Sequence, residues 1–442
     1  MVQSSSNRYI AIGLMLFALF FGAGNLIFPA SMGQAAGENV WWAVLGFCVT
    51  GVGMPLLSIM AMGYSGCNDL EEAAGRVHPL YGLLFTIVVY MSIGPCFAAP
   101  RTGTVAYEIA VRPFLGSDAT GGAMTVFLIV FFAVAFWLAA TPSKLVDRIG
   151  KILTPALVAT IAILVVKSVM TPLGEIQAAG TAYTTPLVAT VQGVIDGYNT
   201  LDAIAGFVFA ILVVSFIKDT GIVEPKQVMM QVYKSGFVAV VLLGIIYVFI
   251  AKIGAESVQA IGMKDTGAPI LTESARLLLG NFGAVVLAVI VLLACLTTAI
   301  GLISCCATYF RKLVGRGSYV AWCAAFSIMS LLVGMFGLKT IIVSTIPVLM
   351  FIYPLSVVLI VLLFLDKFYD GRQCVYVWTV AFTFVMATIN GMETAGVNLG
   401  TFAQMLKDYV PLHTLGMGWI GFAFVGFVVG MIWKSVFPAK AA

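Results

Sequence analysis

Two interruptions in otherwise apolar sequence hold the residues best placed to do chemistry. The first is Phe20-Phe21-Gly22-Ala23-Gly24-Asn25-Leu26-Ile27-Phe28-Pro29, and the second is Asp196-Gly197-Tyr198-Asn199-Thr200-Leu201-Asp202-Ala203. Glycine and proline disfavour a continuous helix, so each stretch frees backbone N–H and C=O groups from helical pairing. A freed helix N-terminus attracts a carboxylate, and freed carbonyls attract an ammonium group or a small cation. The chemistry on offer is recognition of a zwitterion, with no covalent step. For either break taken alone the plainer reading is close helix packing, which small residues such as Gly-Ala-Gly also serve in membranes. A third cluster, Ala294-Cys295-Leu296-Thr297-Thr298, sets adjacent hydroxyls inside an apolar run. An isolated threonine there usually bonds back to its own i−4 carbonyl. With the Ala294 carbonyl, the two hydroxyls could instead present three neutral oxygens to a monovalent cation, completed by carbonyls freed at the first break.

Arg101, Glu108 and Asp202 fall within apolar segments. A charge at a membrane-helix centre costs about 2.5 to 3.5 kcal/mol and usually pairs or lines a pathway. Arg101 and Glu108 stand seven residues apart, about 10.5 Å along a helix, too far for an assured direct pair. Arg101 reads as the partner of a carboxylate or helix C-terminus, or as a gate. Asp202 is placed to cap the second half-helix, with binding of a substrate ammonium or a proton as the other reading. Tyr90 and Phe97 are candidate walls for a substrate side chain, although most membrane aromatics simply pack. The two histidines, His78 and His413, fall in predicted loops, and the eight cysteines lack metal-ligand spacing. An enzyme would need convergent nucleophile, acid/base or metal residues, and a passive channel a ring of selectivity groups. Neither pattern is visible.

These residues must be positioned by membrane helices. Of the 442 residues, 61% are hydrophobic and 10% charged, with a mean hydropathy of +1.07. A soluble domain carries about 25% charged residues, so the chain is expected to lie in a lipid bilayer. The net charge of +4 is a near balance and gives no reason to expect nucleic acid. The apolar stretch after Arg8 is too long for a signal peptide and should remain as the first helix. Cutting at polar and Gly/Pro-rich interruptions gives twelve spans, since about 20 apolar residues cross a bilayer core. They lie near 9-33, 40-63, 79-110, 122-141, 148-170, 187-217, 231-254, 281-310, 319-337, 340-365, 375-393 and 416-437. Residues 171-186 and 255-280 are hydrophilic enough to hold extra elements, and Thr272-Glu273-Ser274-Ala275-Arg276 could open a short surface helix. No linker separates domains, so residues 1-442 form one polytopic unit.

With the N-terminus inside, 15 of the 23 lysines and arginines fall on cytoplasmic loops, among them Arg76, Lys144, Arg148, Lys151, Arg311, Lys312 and Arg316. By the positive-inside rule both termini are expected in the cytoplasm.

The breaks lie 175 residues apart, from Gly24 to Asn199, each in the first helix of a five-helix set. Spans one to five (9-170) and six to ten (187-365) then form two halves of opposite topology, with spans eleven and twelve (375-437) outside the repeat. Paired interrupted helices are the sequence pointer to a transporter's central site, as in the LeuT fold. Gly22-Ala23-Gly24-Asn25 with Phe28-Pro29, Gly197-Tyr198-Asn199-Thr200-Leu201-Asp202, Ala294-x-Leu-Thr297-Thr298 and Ala99-Pro100-Arg101-Thr102-Gly103 resemble the BrnQ family of bacterial branched-chain amino acid:cation symporters. The resemblance covers essentially the whole chain. It implies an all-α integral membrane protein with a LeuT-like 5+5 inverted repeat, broken helices one and six, and two extra C-terminal helices.

The same resemblance implies the ligand sets. Substrate would meet Gly22, Ala23, Gly24 and Asn25 on the first helix and Gly197, Tyr198, Asn199 and Thr200 on the sixth. Na+ would be held by the carbonyls of Ala18, Phe21 and Ala294 and the hydroxyls of Thr297 and Thr298. The break is one residue shorter between Asn25 and Phe28-Pro29 than in the sodium:neurotransmitter symporters, so Asn25 is not expected to touch a second Na+. The function implied is import of leucine, isoleucine and valine across the bacterial cytoplasmic (inner) membrane by alternating access. The coupling ion would be Na+ in preference to H+, with no other cofactor. The alternative is a proton-coupled carrier of other neutral amino acids.

Overall fold

The computed structural model describes residues 5–437 except 68, 116–120, 142–153, 220 and 223. The expected inside charges Lys144, Arg148, Lys151 and Lys440, and the start of the fifth span, lie outside the described residues. Among the described residues the chain is helical, with no strand. Eight helical stretches are long and apolar enough to cross a membrane, or nine when the pair Pro186–Tyr198 and Asp202–Lys218, bent by 44°, is taken as one span. Three shorter apolar helices, Tyr9–Phe20, Leu157–Met170 and Tyr319–Gly334, add to these.

The first expected span is two helices, α1 (Ser5–Phe20) and α2 (Ala23–Ala36), separated at Phe21 and Gly22. Gly22 has extended backbone (φ −121°, ψ −159°), and its N–H donates to Asn25 Oδ1 at 3.1 Å. That side chain caps α2 where the helical ladder supplies no acceptor. The chain continues through α3 (Val40–Cys48), a π-helical turn at Val49–Gly53 and α4 (Met54–Ser65) to a short helix, α5 (Leu70–Gly75). The third expected span is split as well. Helices α6 (Pro79–Met91) and α7 (Ala98–Ala110) flank a π-helical turn at Ser92–Cys96, where Gly94 is non-helical (φ −82°, ψ −120°) just before Pro95. Proline disfavours helical geometry in the residue before it, so the faces of α7 are rotated relative to a continuous helix.

After α8 (Gly121–Ala139) and α9 (Thr154–Met170), residues 171–185 run over the end of α2, with Glu38 N donating to Gln177 O (3.0 Å) and Gly180 N to Ala35 O (2.9 Å). The second break then divides α10 (Pro186–Tyr198) from α11 (Asp202–Asp219), with Leu201 in the left-handed region at φ 68°. Helix α12 (Pro225–Ile261) leads to α13 (Gly267–Val314), which is kinked at Gly280 (φ 64°). The expectation of a surface helix at Thr272–Arg276 is corrected here. That segment is the first arm of α13, and Ile270, Leu271, Thr272, Ser274 and Ala275 are buried because the arm folds back against α2. The chain ends with α14 (Tyr319–Gly334), α15 (Leu338–Leu365), α16 (Gln373–Thr394), α17 (Gly400–Tyr409) and α18 (Trp419–Val436). Burial explains the layout: the most apolar 18-residue window of Gly267–Val314 is 78% buried, whereas Trp419–Val436 is 17% buried and turns most of its apolar surface outward.

Candidate functional site

The two breaks meet across one central cavity. Gly22, Ala23, Gly24 and Asn25 line it from the first break, and Thr200, Leu201 and Asp202 from the second. Arg101 and Thr102 of α7 and Thr298 of α13 complete the polar part, while Leu19, Phe20, Ile93, Ala98, Ala205, Phe209 and Leu302 form an apolar part. Phe20 and Phe209 meet edge to face, 5.5 Å between centroids. The space open to the centre of a water molecule is about 20 Å³, room for one or two waters and not for an amino acid.

Three polar side chains hold the breaks together. Asn25 Nδ2 donates to Asp202 Oδ2 and to the Tyr247 hydroxyl, and that hydroxyl lies 3.0 Å from the same carboxylate oxygen. The network joins α2, α11 and α12 through groups that are at most 3% exposed. Asp202 sits in the first turn of α11, where the helix dipole favours an anion. Arg101 does the converse at the other side of the gap. Its Nη1 donates to Asn199 O at 2.7 Å and its Nη2 to Thr200 O at 3.3 Å, carbonyls that α10 leaves unpaired at its C-terminal end. Its guanidinium lies over the Phe28 ring, 5.1 Å from the centroid.

Gly24 permits this arrangement, since a Cβ there would lie 2.7 Å from Arg101 Nη2. Each end of the second break is thus met by a charge of opposite sign, and both charges line the cavity.

Beside the cavity, Thr297 Oγ1 stands 2.9 Å from the carbonyl oxygens of both Ala18 and Ala294. Thr298 Oγ1 donates to Leu19 O at 3.0 Å. Ala18, Ala294 and Thr297 are therefore brought together as three neutral oxygens between α1 and α13. Phe21 follows the last turn of α1, its N–H donating to Phe17 O at 2.7 Å, and the carbonyl that Thr298 meets is that of Leu19. Among the described residues no group of three His, Cys, Asp or Glu could hold a metal ion.

Several expected site residues lie elsewhere. Tyr90 stacks on Tyr309 (4.3 Å) and borders a separate cavity with Asp69 and Lys312. Phe97 does not line the central cavity, whose wall on this side is Ile93 and Ala98. The non-helical Gly94 and Pro95 turn the chain between them, which is why counting along a straight helix picks the wrong aromatics. Gly197 faces α3 and the turn after it: a Cβ there would lie 2.0 Å from Thr50 Oγ1 and 3.0 Å from Phe47 O. Tyr198 stacks on Tyr353 at 4.1 Å and is likewise outside the cavity. Asn199 contributes its carbonyl to Arg101. Glu108 pairs with Arg112 at 2.6 Å near the end of α7, with the arginine side chain 61% exposed. It is therefore a peripheral i,i+4 pair and not a cavity group. Tyr247, Phe209 and Leu302 were missed, since nothing in linear spacing places them beside the breaks.

The fold is shared with solved transporters. The chain superposes on Mhp1, a nucleobase-cation-symport-1 family transporter in a closed conformation with bromovinylhydantoin bound, with a TM-score of 0.64 at 13% identity, covering 98% of this chain and 94% of that one. MhsT in complex with L-phenylalanine matches with a TM-score of 0.57 at 14% identity, covering 97% and 98%. In sequence, the branched-chain amino acid permease BraB of Bacillus subtilis (strain 168) is 44% identical over 424 residues, 96% of this chain and 94% of that protein. The permease BrnQ of the same strain is 41% identical over 438 residues, 99% of each. The branched-chain amino acid transport system 2 carrier protein of Pseudomonas aeruginosa is 37% identical over 414 residues, 93% of this chain and 92% of that one. The family described as "Branched-chain amino acid transport protein" matches residues 5–437. On that match and these near full-length relatives, the chain belongs to the branched-chain amino acid transport protein family, whose members are transport proteins and not enzymes.

Proposed function

We propose that this protein imports leucine, isoleucine and valine into bacteria by symport with a cation, Na+ in preference to H+. The observation that carries the reading is the division of the central cavity. Asn25, Arg101, Thr200 and Asp202 gather at its polar part, and Phe20, Ile93, Ala205, Phe209 and Leu302 form an apolar wall, with Thr298 beside it. A zwitterionic head would lie between the breaks and an aliphatic side chain against the apolar wall. Burying such a side chain contributes about 1.5 to 3 kcal/mol, and the Thr298 hydroxyl, which also lines the cavity, already donates to Leu19 O at 3.0 Å, which leaves a hydrophilic side chain little to bond to there. The relatives' names as branched-chain amino acid permeases support the substrate class.

The coupling ion would be Na+ as a transported species, held by the Ala18, Phe21 and Ala294 carbonyls and the Thr297 and Thr298 hydroxyls, of which the Ala18 and Ala294 carbonyls already stand 2.9 Å from the Thr297 hydroxyl. Neutral oxygens suit a monovalent ion, and the site bridges α1 and α13, so that an ion bound there would bias their relative position. On this reading the protein has twelve spans with a 5+5 inverted repeat and two further C-terminal helices, lies in the cytoplasmic (inner) membrane and keeps both termini inside. A membrane potential then adds about 2.3 kcal/mol per charge per 100 mV to accumulation.

Uptake of radiolabelled leucine into proteoliposomes tests the reading, with Na+ and proton gradients imposed separately and isoleucine and valine as competitors. Na+-driven uptake blocked by both competitors is expected; uptake that neither competitor reduces would overturn the substrate assignment. Thr297→Ala combined with Thr298→Ala is expected to raise the Na+ concentration for half-maximal uptake by about tenfold, as loss of one to two ligand hydrogen-bonding groups implies. An unchanged Na+ dependence in a well-expressed double variant would move the ion elsewhere.

A further inference from the structure

We propose that Arg101 stands in for the substrate's ammonium group in the empty, closed carrier, and leaves its seat on the Asn199 and Thr200 carbonyls when an amino acid arrives. This rests on the transport reading above and adds a role in the return of the unloaded protein.

The seat is a cation seat by construction. The Asn199 and Thr200 carbonyls directly follow the C-terminal end of α10, where the helix dipole favours positive charge. In the structure a guanidinium fills the seat, and the remaining space holds a water or two and not an amino acid. The same carbonyls cannot serve the guanidinium and a substrate ammonium at once. Arg101 is also incompletely held. Its Nε is buried with no hydrogen-bond partner, although a guanidinium has five donors to satisfy. It donates to two carbonyls, not to a carboxylate, while Asp202 lines the same cavity and is engaged by Asn25 and Tyr247. Asp202 and the carboxylate of an arriving amino acid are both acceptors toward which a displaced guanidinium could turn.

The consequence concerns one half of the transport cycle. A symporter must close while empty in order to return, and an empty closed cavity without Arg101 would bury two carbonyls with no donor. A loaded carrier has no such need, because the substrate ammonium supplies the donors. Loss of Arg101 should therefore impair net uptake more than exchange of internal for external leucine, in which the carrier crosses loaded in both directions.

The test compares net leucine uptake with leucine–leucine exchange in proteoliposomes carrying the wild-type protein, Arg101→Gln or Arg101→Lys. For Arg101→Gln the ratio of exchange to net uptake is expected to rise about tenfold, as removal of one stabilising contact from the empty closed form implies. Arg101→Lys, which keeps a cation but loses the fork, is expected to fall between. Parallel loss of both activities in the two variants would overturn the proposal and make Arg101 an ordinary ligand or a structural group. A second readout needs no substrate: amide hydrogen exchange at residues 199–201 in the empty protein must quicken in Arg101→Gln, and unchanged exchange would also overturn the proposal. Wild-type protein that moves no leucine would instead overturn the substrate assignment, and the amide measurement would still decide the role of Arg101.

Discussion

Asp202→Ala is expected to abolish transport and to lower stability by about 3 to 5 kcal/mol, the usual cost of removing one member of a buried charged network. The carboxylate accepts from Asn25 and from Tyr247, which are 2% and 0% exposed. Without it the Tyr247 hydroxyl loses its acceptor and Asn25 Nδ2 keeps only the Tyr247 hydroxyl, at a depth where water does not replace the carboxylate and an orphaned group costs about 1 to 3 kcal/mol. Arg101, 3% exposed, would also lose the negative charge that shares its cavity. The two breaks would then have no side-chain link, because Asn25 is the only α2 residue that reaches Asp202 among the described hydrogen bonds. Asp202→Asn separates the two contributions. It keeps a polar group of the same shape, so most of the stability should return, while the charge stays absent. Thermal unfolding of the purified proteins in detergent, set beside leucine binding, reads the difference. An alanine variant that melts within about 1 °C of wild type, roughly the shift a 1 kcal/mol change would produce in a chain of this length, and still binds leucine would show that Asp202 is dispensable to the site.

How much of this was legible before the fold follows from the kind of signal each residue carries. The first break announces itself through Gly22, Gly24 and Pro29, because their backbone preferences act locally. The second is visible as a polar stretch, Asp196 to Asp202, between apolar runs. Thr297 and Thr298 were legible as hydroxyls with few other uses in an apolar helix, yet their partners Ala18 and Leu19 lie 279 residues away and appear only once α1 packs on α13. Tyr247 is 45 residues from Asp202 and reads as one more membrane aromatic until α12 crosses the second break. Other misses were local and had a signal. Gly94-Pro95 marks the irregular turn that moves Tyr90 and Phe97 away from the cavity, and the i,i+4 spacing of Glu108 and Arg112 identifies a pair at the end of α7. Gly197 shows the limit of motif reasoning: it belongs to the interrupted stretch but faces Thr50 and Phe47, so its small size serves helix packing.

Gly24→Leu is expected to eliminate leucine binding while leaving the helical content intact. A Cβ at this position would lie 2.7 Å from Arg101 Nη2, 3.2 Å from Arg101 Cζ and 3.3 Å from Phe28 Cε2. A single methyl meets chiefly the far end of a flexible side chain, so Gly24→Ala can be absorbed if Arg101 moves off its carbonyls. The three further carbons of leucine would fill a cavity whose free space is already about 20 Å³. They would also cover the first N–H groups of α2, which have no intrahelical partner and face the same cavity. Overpacking usually costs about 1 to 3 kcal/mol, less than a membrane domain of this burial needs in order to unfold. The expected pattern is therefore a folded protein with an occupied site: helical circular dichroism near that of wild type, and leucine binding below detection. Gly24→Ala should lie between, with net uptake reduced more than exchange, because the methyl displaces the same guanidinium that Arg101→Gln removes. Leucine binding of ordinary affinity to Gly24→Leu would show that the first break serves helix packing alone and that substrate is held elsewhere.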